Sequence, residues 1–223
     1  MGSISVCCIV QNCADLLPGL LRNVGGIADE IVAVDGGSTD ATEATLRADP
    51  KVRYFARDFD NYTDQKNHAI EQATGDWVLF VDADERLSDA LTGMLPGLVR
   101  SRIWRWYKLP RYWVVPGDPA MYVKSERLYP DYQLRLFRNT AFFRYEAGRA
   151  VHERFPRKGR GPGRKLRRGH LVHLAFRLLT RAERERKSGI YSSLDPASLP
   201  TNAMYLWEDL PHELKPVSET WRD

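Results

Sequence analysis

Four runs dominated by apolar residues, separated by segments with helical spacing, fill about the first ninety residues of this chain. A strand with one solvated face alternates apolar and polar residues, so nearly unbroken apolar runs predict strands that are covered on both faces. Strands of this kind joined by helices form a parallel sheet between two helical layers. The predicted strands are SISVCCIV from Ser3, EIVAVD from Glu30, VRYFA from Val52 and DWVLFVD from Asp76.

Three amphipathic segments connect these predicted strands. Helices are predicted over residues 14–24, over residues 41–47, and from a cap at Thr63 through Ala73. The fold class is therefore α/β, a single Rossmann-like domain with a mostly parallel central sheet and helices on both faces. In such sheets, ligands bind beyond the carboxyl ends of the strands.

Carboxylates stand at that predicted edge of the sheet. Asp35 ends the second strand, and Asp82 and Asp84 flank Ala83 at the end of the fourth. Side chains two residues apart on a strand point the same way, and like charges so close repel unless a cation lies between them. Mg²⁺ or Mn²⁺ bound to oxygen ligands and a substrate phosphate would supply that cation. The alternative is that Asp82 caps a helix and Asp84 is solvated.

Length and composition limit the class of protein. With 223 residues, 43% hydrophobic and 28% charged, the chain is typical of one globular domain, with or without a small appendage. Its longest apolar runs are shorter than the roughly 20 residues that cross a bilayer, and we interpret the first ten residues as a strand and not a signal peptide. Cys7, Cys8 and Cys13 match no zinc or disulfide spacing, which predicts reduced thiols, buried as small hydrophobes, in a cytoplasmic protein.

Positive charge is concentrated late in the chain. Residues 154–187 contain thirteen Lys or Arg and two Glu, although the net charge of the whole chain is +4. This asymmetry indicates an anionic partner, and a nucleoside diphosphate, an anionic membrane surface and nucleic acid remain open, with nucleic acid the least favoured. A solvated basic face is the alternative.

Four blocks in order carry a family resemblance: IVAVDGGSTDAT, DQKNHAIEQATGDWVLFVDADERLS, YPDYQLRLFR and VHE. They resemble the inverting nucleotide-sugar glycosyltransferases of family 2, which have the GT-A fold, and within that family the bacterial lipopolysaccharide-core glucosyltransferase type. The resemblance covers about residues 3–175. It implies transfer of a sugar from a nucleoside-diphosphate donor to an acceptor, inversion at the anomeric carbon, and a divalent metal, Mn²⁺ or Mg²⁺.

The resemblance also implies a division of the chain. Residues 1–175 would be the catalytic domain, with a nucleotide-sugar half over 1–100 and an acceptor half over 101–175, and residues 176–223 a helical extension. Two other functions remain compatible with the pattern, a nucleotidyltransferase and a non-catalytic nucleic-acid or membrane binding module. The acceptor, a homodimer and peripheral contact of residues 154–187 with the inner face of a membrane stay open.

Donor-binding residues follow from the matching positions. The resemblance implies that Asp84 binds the metal, that Asp82 lies near the ribose or the metal's water shell, and that Lys66 reaches ribose or phosphate. This chain departs from the pattern at Gly36, where many members have a second acid, and at Cys13, where a Glu is usual. The remaining positions implied to contact the nucleotide sugar are Val10, Gln11, Asn12, Asp35, Gly36, Gly37, Ala83 and Arg135.

Two carboxylates compete for the role of general base, which an inverting transfer needs in order to take the acceptor's proton. Glu153 follows the R-L-F-R segment where relatives place a base, and Asp131 precedes that segment. We favour Glu153 and keep Asp131 as the alternative. A third metal ligand from late in the chain is expected at His173, or else at His170, and imidazole suits Mn²⁺ better than Mg²⁺.

Overall fold

The computed structural model describes residues 2–146, 154–156, 159–194 and 202–223. Its first half alternates strands and helices as the apolar pattern predicts. The elements are β1 (Ile4–Val10), α1 (Leu17–Val24), β2 (Glu30–Asp35), α2 (Thr42–Arg47), β3 (Val52–Ala56), α3 (Tyr62–Gln72) and β4 (Trp77–Phe80). The strands lie in the order β3-β2-β1-β4, and each neighbouring pair is parallel.

The second half extends the same sheet with mixed strand directions. Its elements are β5 (Glu85–Leu87), α4 (Asp89–Leu98), β6 (Trp106–Val115), β7 (Met121–Lys124), β8 (Asp131–Arg138), β9 (Gly163–Lys165), β10 (Leu171–His173), α5 (Ala175–Leu178), α6 (Arg181–Leu194), a 3-10 helix (Ala203–Asp209) and β11 (Glu213–Pro216). Beyond β4 the order continues β8-β6-β7-β11, all antiparallel, while β10 pairs with β5 and β6, and β9 with β6. The predicted α/β class is confirmed, with a mixed central sheet.

Burial on both faces explains the apolar runs. In β1, Val6 and Cys8 face a core under α1 and α4, whereas Cys7 faces a second core under α3. All three side chains have no exposed surface. Burial raises the pKa of the Cys8 thiol to about 12, so this cysteine is the inert small hydrophobe that the sequence predicts.

The cap of α3 differs from the prediction. Asn61, in an extended conformation, accepts a hydrogen bond from the Asp64 backbone N–H at 2.9 Å, and the helix begins at Tyr62. Thr63 is instead buried in the first turn. An Asn is as good a cap as a Thr, and here Asn61 caps the helix, two residues earlier than expected.

The last residues pack on the domain. Strand β11 pairs with β7, and the Arg86 Nε donates to the Asp223 side chain at 2.9 Å. Arg86 is buried whereas more than half of the Asp223 side chain is exposed, so this ion pair attaches residue 223 to the surface of the domain. None of the described helices is long and apolar enough to cross a bilayer.

Candidate functional site

A cleft of about 860 Å³ opens at the carboxyl edge of the parallel strands. Val10 and Gln11 reach it from the end of β1, and the Asp82–Asp84 turn from the end of β4. The parallel register of β1 and β4 brings these two chain segments to one edge, as predicted. Of the predicted site residues, the cleft is lined by Val10, Gln11, Lys66, Asp82, Ala83, Asp84, Asp131, Arg135 and His173.

The other predicted donor residues lie next to the cleft, in the turns after β1 and β2. The Gln11 Nε2 donates to the Gly36 carbonyl at 2.9 Å, and the Asn12 Oδ1 accepts the Thr39 N–H at 2.8 Å. Gly37 has a φ of 89°, a left-handed conformation that favours glycine. These bonds hold the turns after β1 and β2 together and fix the backbone from which Val10 and Gln11 line the cleft.

Asp35 is engaged by this turn. Its Oδ1 accepts the Ser38 N–H at 2.9 Å and the Ser38 hydroxyl at 2.7 Å, and its Oδ2 accepts the Tyr54 hydroxyl at 3.0 Å. Only 2% of the residue is exposed. In this structure Asp35 therefore shapes the turn, and direct contact with a nucleoside stays a prediction.

A chain of alternating charges crosses the base of the cleft. Asp131, Arg111, Glu85, Arg135 and Asp82 are joined in that order by ion pairs. The Arg111 Nη1 is 2.7 Å from the Glu85 Oε1, and the Arg135 Nη2 is 3.0 Å from the same oxygen. Glu85 is completely buried, and both arginines contact the same oxygen of its carboxylate. Sequence reasoning missed Glu85 and Arg111, although an acid directly after a D-x-D triplet was a visible signal.

The cation that the sequence requires beside Asp82 is a residue of the chain itself. Arg135 donates to the Asp82 Oδ2, and burial, which would raise the pKa of Asp82, is outweighed by the charges of Arg135 and Lys66, which hold that pKa below its ordinary value. Arg135 was expected to contact the nucleotide sugar. Here its guanidinium binds Asp82 and Glu85, and this ion pair leaves Asp84 as the more available metal ligand of the pair.

Asp84 and His173 lie close to each other in the cleft. The His173 Nε2 is 3.8 Å from the Asp84 Oδ2, and the imidazole stacks on Trp113 with ring centroids 4.1 Å apart. Burial lowers the pKa of His173, so the ring is neutral near pH 7, as a metal ligand must be. Its Nδ1 accepts the Ala175 N–H at 3.1 Å, so ligation through Nε2 requires the ring proton to move to Nδ1 and this contact to open.

The donor set fits a hard divalent cation only in part. One carboxylate and one neutral imidazole suit Mn²⁺, which would complete its coordination with water and phosphate oxygens. No group of three His, Cys, Asp or Glu side chains able to hold a metal occurs among the residues that the structure describes. Among the described residues, Asp84 and His173 are the pair placed to share a cation.

His170 is separated from this site by its own contacts. Its Nδ1 is 2.8 Å from the Glu219 Oε1, its Nε2 is 3.0 Å from the Tyr129 hydroxyl, and its ring stacks on Tyr112. Both ring nitrogens are thus engaged away from the cleft. Of the two histidines proposed as metal ligands, His173 has the position the role requires.

Asp131 is held by four hydrogen bonds. The Arg111 Nε and Nη2 and the Trp113 Nε1 donate to its Oδ2, at 2.6 to 2.9 Å, and the Gln133 Nε2 donates to its Oδ1 at 2.5 Å. Burial opposes ionisation, yet the charge of Arg111 and these bonds lower the pKa of Asp131. A carboxylate stabilised in this way is a weak base. Glu153, the favoured alternative, lies outside the described residues.

Two cationic side chains that line the cleft come from α3 and α6. Lys66 is buried, with its Nζ 5.6 Å from the centre of the Phe80 ring, so it is not a solvated lysine of the helix surface. Lys187 was not predicted. Burial would lower its pKa, but Tyr205 and Asp84 raise it, so Lys187 stays charged. Its spacing from Arg184 and Tyr191, three and four residues away, places all three on one face of α6 and was the available signal.

The fold and this cleft define the class of protein, an α/β domain with a polar cleft where its parallel strands end. Residues 5–101 match the family model described as glycosyl transferase family 2. The resemblance to glycosyltransferase family 2 that the motifs carry is confirmed by this match.

Relatives and solved structures agree with this assignment. The lipopolysaccharide core biosynthesis glycosyltransferase LpsC of Rhizobium meliloti is 35% identical over 173 residues, 74% of this chain and 60% of LpsC. A TPR repeat-containing protein of Synechococcus elongatus is 40% identical over 88 residues, 39% of this chain and 22% of that protein. The chain thus spans less than two thirds of these relatives. The crystal structure of S. aureus TarS 1-349 superimposes with a TM-score of 0.55 and 14% identity, over 91% of this chain and 73% of that fragment, which shows the shared fold.

Proposed function

We propose that this chain is a metal-dependent, inverting glycosyltransferase that moves a sugar from a nucleoside diphosphate to an acceptor hydroxyl. The observation that carries the proposal is the convergence of Asp84, His173, Lys66 and Lys187 on one cleft at the carboxyl edge of β1 and β4. Two of these groups suit a divalent cation and two suit a diphosphate. The family 2 match over residues 5–101 supports the same reaction class.

In the proposed reaction a general base takes the proton of the acceptor hydroxyl, whose oxygen attacks the anomeric carbon. The bond from that carbon to the diphosphate breaks on the opposite face, and the nucleoside diphosphate leaves with the electron pair. Lys66 and Lys187, which both line the cleft, stabilise its charge. Asp84 and His173 would hold Mn²⁺ or Mg²⁺, which neutralises charge on the diphosphate when it is bound.

The identity of the released product, nucleoside diphosphate or pyrophosphate, distinguishes this reaction from nucleotidyl transfer on a similar fold. Purified protein is incubated with a panel of nucleotide sugars and Mn²⁺, and the products are separated by ion-exchange chromatography. We expect free nucleoside diphosphate, formed faster when acceptor is present. Pyrophosphate release from nucleoside triphosphates, with the nucleotide sugars left intact, would overturn the proposal.

Removal of the Asp84 carboxylate is expected to abolish the effect of metal on donor binding. In the wild-type protein we expect Mn²⁺ to tighten binding of the probe UDP by about 10-fold or more, and in Asp84→Asn we expect this gain to vanish. Calorimetric titration of UDP with and without Mn²⁺ measures it. The exposed Asp118, outside the cleft, provides the matched control Asp118→Asn. An equal gain in both variants would remove Asp84 from the site.

The proposal also includes the location of the enzyme in the cell. A cytoplasmic enzyme is consistent with its three free cysteines. Peripheral contact with an anionic membrane through residues 154–187, where Arg164, Arg167 and Arg168 are exposed, and assembly as a homodimer stay predictions.

A further inference from the structure

We infer that a second cleft, at the opposite edge of the sheet from the first, is a binding site for a phosphate ester. This second cleft has a volume of about 720 Å³ and lies where β4 and β6 begin and β8 ends. Small-molecule sites in proteins commonly have volumes of about 300–1,000 Å³. The inference goes beyond the proposed function, which uses the cleft at the carboxyl edge of the parallel strands.

The two clefts are separate. Asp76 lines the second cleft immediately before β4, whereas Asp82 lines the first cleft just after that strand. At about 3.3 Å per residue, an extended chain covers roughly 20 Å between these two positions. No described residue lines both clefts. A ligand in the second cleft therefore occupies residues that the transfer reaction does not use.

The second cleft has an excess of positive charge. Arg102, Arg105 and Arg138 line it, against one carboxylate among the described lining residues, Asp76. The Asp76 Oδ2 accepts the Ser3 N–H at 2.9 Å and the Ser3 hydroxyl at 3.2 Å. Within the described part of the chain, none of the three arginines forms an ion pair with a carboxylate. A phosphate monoester carries about 1.5 to 2 negative charges near pH 7, which matches the excess.

Backbone pairing brings the arginines together and orients one of them. The Arg138 N–H donates to the Arg105 carbonyl at 2.8 Å, and the Arg138 Nη2 donates to the Ser101 carbonyl at 2.7 Å. The Arg138 guanidinium also lies over the Trp77 ring, 4.5 Å from its centre. A guanidinium held in this way loses little further freedom when it binds an anion, and its geometry suits paired hydrogen bonds to phosphate oxygens.

An unpaired hydroxyl in the same cleft is the second observation that indicates a ligand. The Thr140 Oγ1 is buried and has no hydrogen-bond partner among the described residues, and Thr140 lines the second cleft. A buried hydroxyl without a partner is unfavourable, and a bound water, ion or ligand is the usual explanation. A phosphate oxygen would accept its proton. Ile103, which is 68% exposed, and Trp104 line the cleft and offer apolar contacts to the organic part of the ester.

Calorimetric titration of glucose 6-phosphate and of glucose tests the inference with a soluble ester. We expect glucose 6-phosphate to bind about 10-fold or more tightly than glucose, as one or two charge-assisted contacts predict. Arg102→Ala/Arg105→Ala, at two exposed positions, is expected to lose this preference. The matched control Arg177→Ala/Arg186→Ala removes the same charge from exposed positions outside both clefts and is expected to keep it.

Thr140→Val distinguishes a ligand contact from a structural role. Valine keeps the shape of the side chain and removes the hydroxyl, so phosphate-ester binding is expected to weaken about 5-fold, the usual contribution of one hydrogen bond. The urea midpoint of the protein without the probe is expected to stay unchanged, because this hydroxyl has no described partner to lose. A lower midpoint with unchanged binding would overturn the inference, since the hydroxyl would then be a structural group.

A phospholipid headgroup shares the chemistry of a soluble ester, and vesicles distinguish the two sources. Co-sedimentation is measured with vesicles of phosphatidylcholine, alone or mixed with phosphatidic acid. Binding that requires both phosphatidic acid and the pair Arg102 and Arg105 identifies a lipid headgroup. Binding of glucose 6-phosphate that requires the same pair, without vesicle binding, identifies a soluble ester. Either result supports the phosphate site.

Two results would overturn the inference. One is that neither probe depends on Arg102 and Arg105, because any bound phosphate would then lie elsewhere, for example in the first cleft. The other is an equal loss of binding in both double variants, which would reflect the net charge of the protein and not a site. These measurements involve no nucleotide sugar and no metal, so their outcome does not depend on the proposed function.

Discussion

Replacing Glu153 with glutamine is expected to lower kcat by about 10²-fold or more while the affinity for the nucleotide sugar stays unchanged, since this is the usual contribution of a general base. Two carboxylates were candidates, and the structure bears on one of them. Both oxygens of Asp131 accept hydrogen bonds, and Arg111 helps to lower its pKa below the ordinary value. Proton transfer to Asp131 would have to overcome that stabilisation, so the proposal gives the role to Glu153.

Steady-state kinetics of three variants measures this assignment. Glu43→Gln, at an exposed site on α2, is the matched control and should keep wild-type kcat. The pH profile adds a second readout, because loss of the base removes the acidic limb of the kcat profile. A kcat loss of the same size in Asp131→Asn, with Glu153→Gln close to wild type, would contradict the assignment and give the role to Asp131.

Replacing Arg111 with methionine is expected to lower the free energy of unfolding by about 3–5 kcal/mol, because it leaves buried carboxylates without their partner. Glu85 would keep only Arg135, and Asp131 would lose its ion pair with Arg111. Arg47→Met is the control. Arg47 also lies 2.7 Å from a glutamate, Glu43, but both side chains are more than half exposed, so about 1 kcal/mol or less is expected. Urea unfolding measures both.

The dependence on pH provides an independent check. The folded-state pKa of Asp131 is lowered, so its ion pair stabilises the protein fully above the unfolded-state value of about 3.9 and less as the pH falls through the lower folded-state value. The difference between wild type and Arg111→Met should therefore shrink in acid. Arg111→Lys, which keeps the charge but loses the paired geometry, should fall between them. Equal losses in Arg111→Met and Arg47→Met would show that the buried chain of charges does not stabilise the fold.

The strands of the first half could be predicted because each is specified by the apolar pattern of its own consecutive residues. EIVAVD and VRYFA coincide with β2 and β3, and the apolar pattern of SISVCCIV reflects a strand covered on both faces. The edge at which Asp82 and Asp84 lie follows from parallel pairing of β1 and β4. The start of α3 was misplaced because Asn61 and Thr63 are both good caps, and only the path of the chain selects between them.

By itself the sequence determined the strands of the first half, the position of Asp82 and Asp84 at the carboxyl edge of the sheet, and the need for a cation beside Asp82. Tertiary structure decided which cation it is, because Arg135, 53 residues away, pairs with Asp82 across the antiparallel contact of β4 and β8. It also brought Lys187 and Tyr191 of α6 to the cleft. Burial is encoded in local runs of residues, whereas the pairing of charges depends on distances that exist only once strands distant in sequence lie side by side.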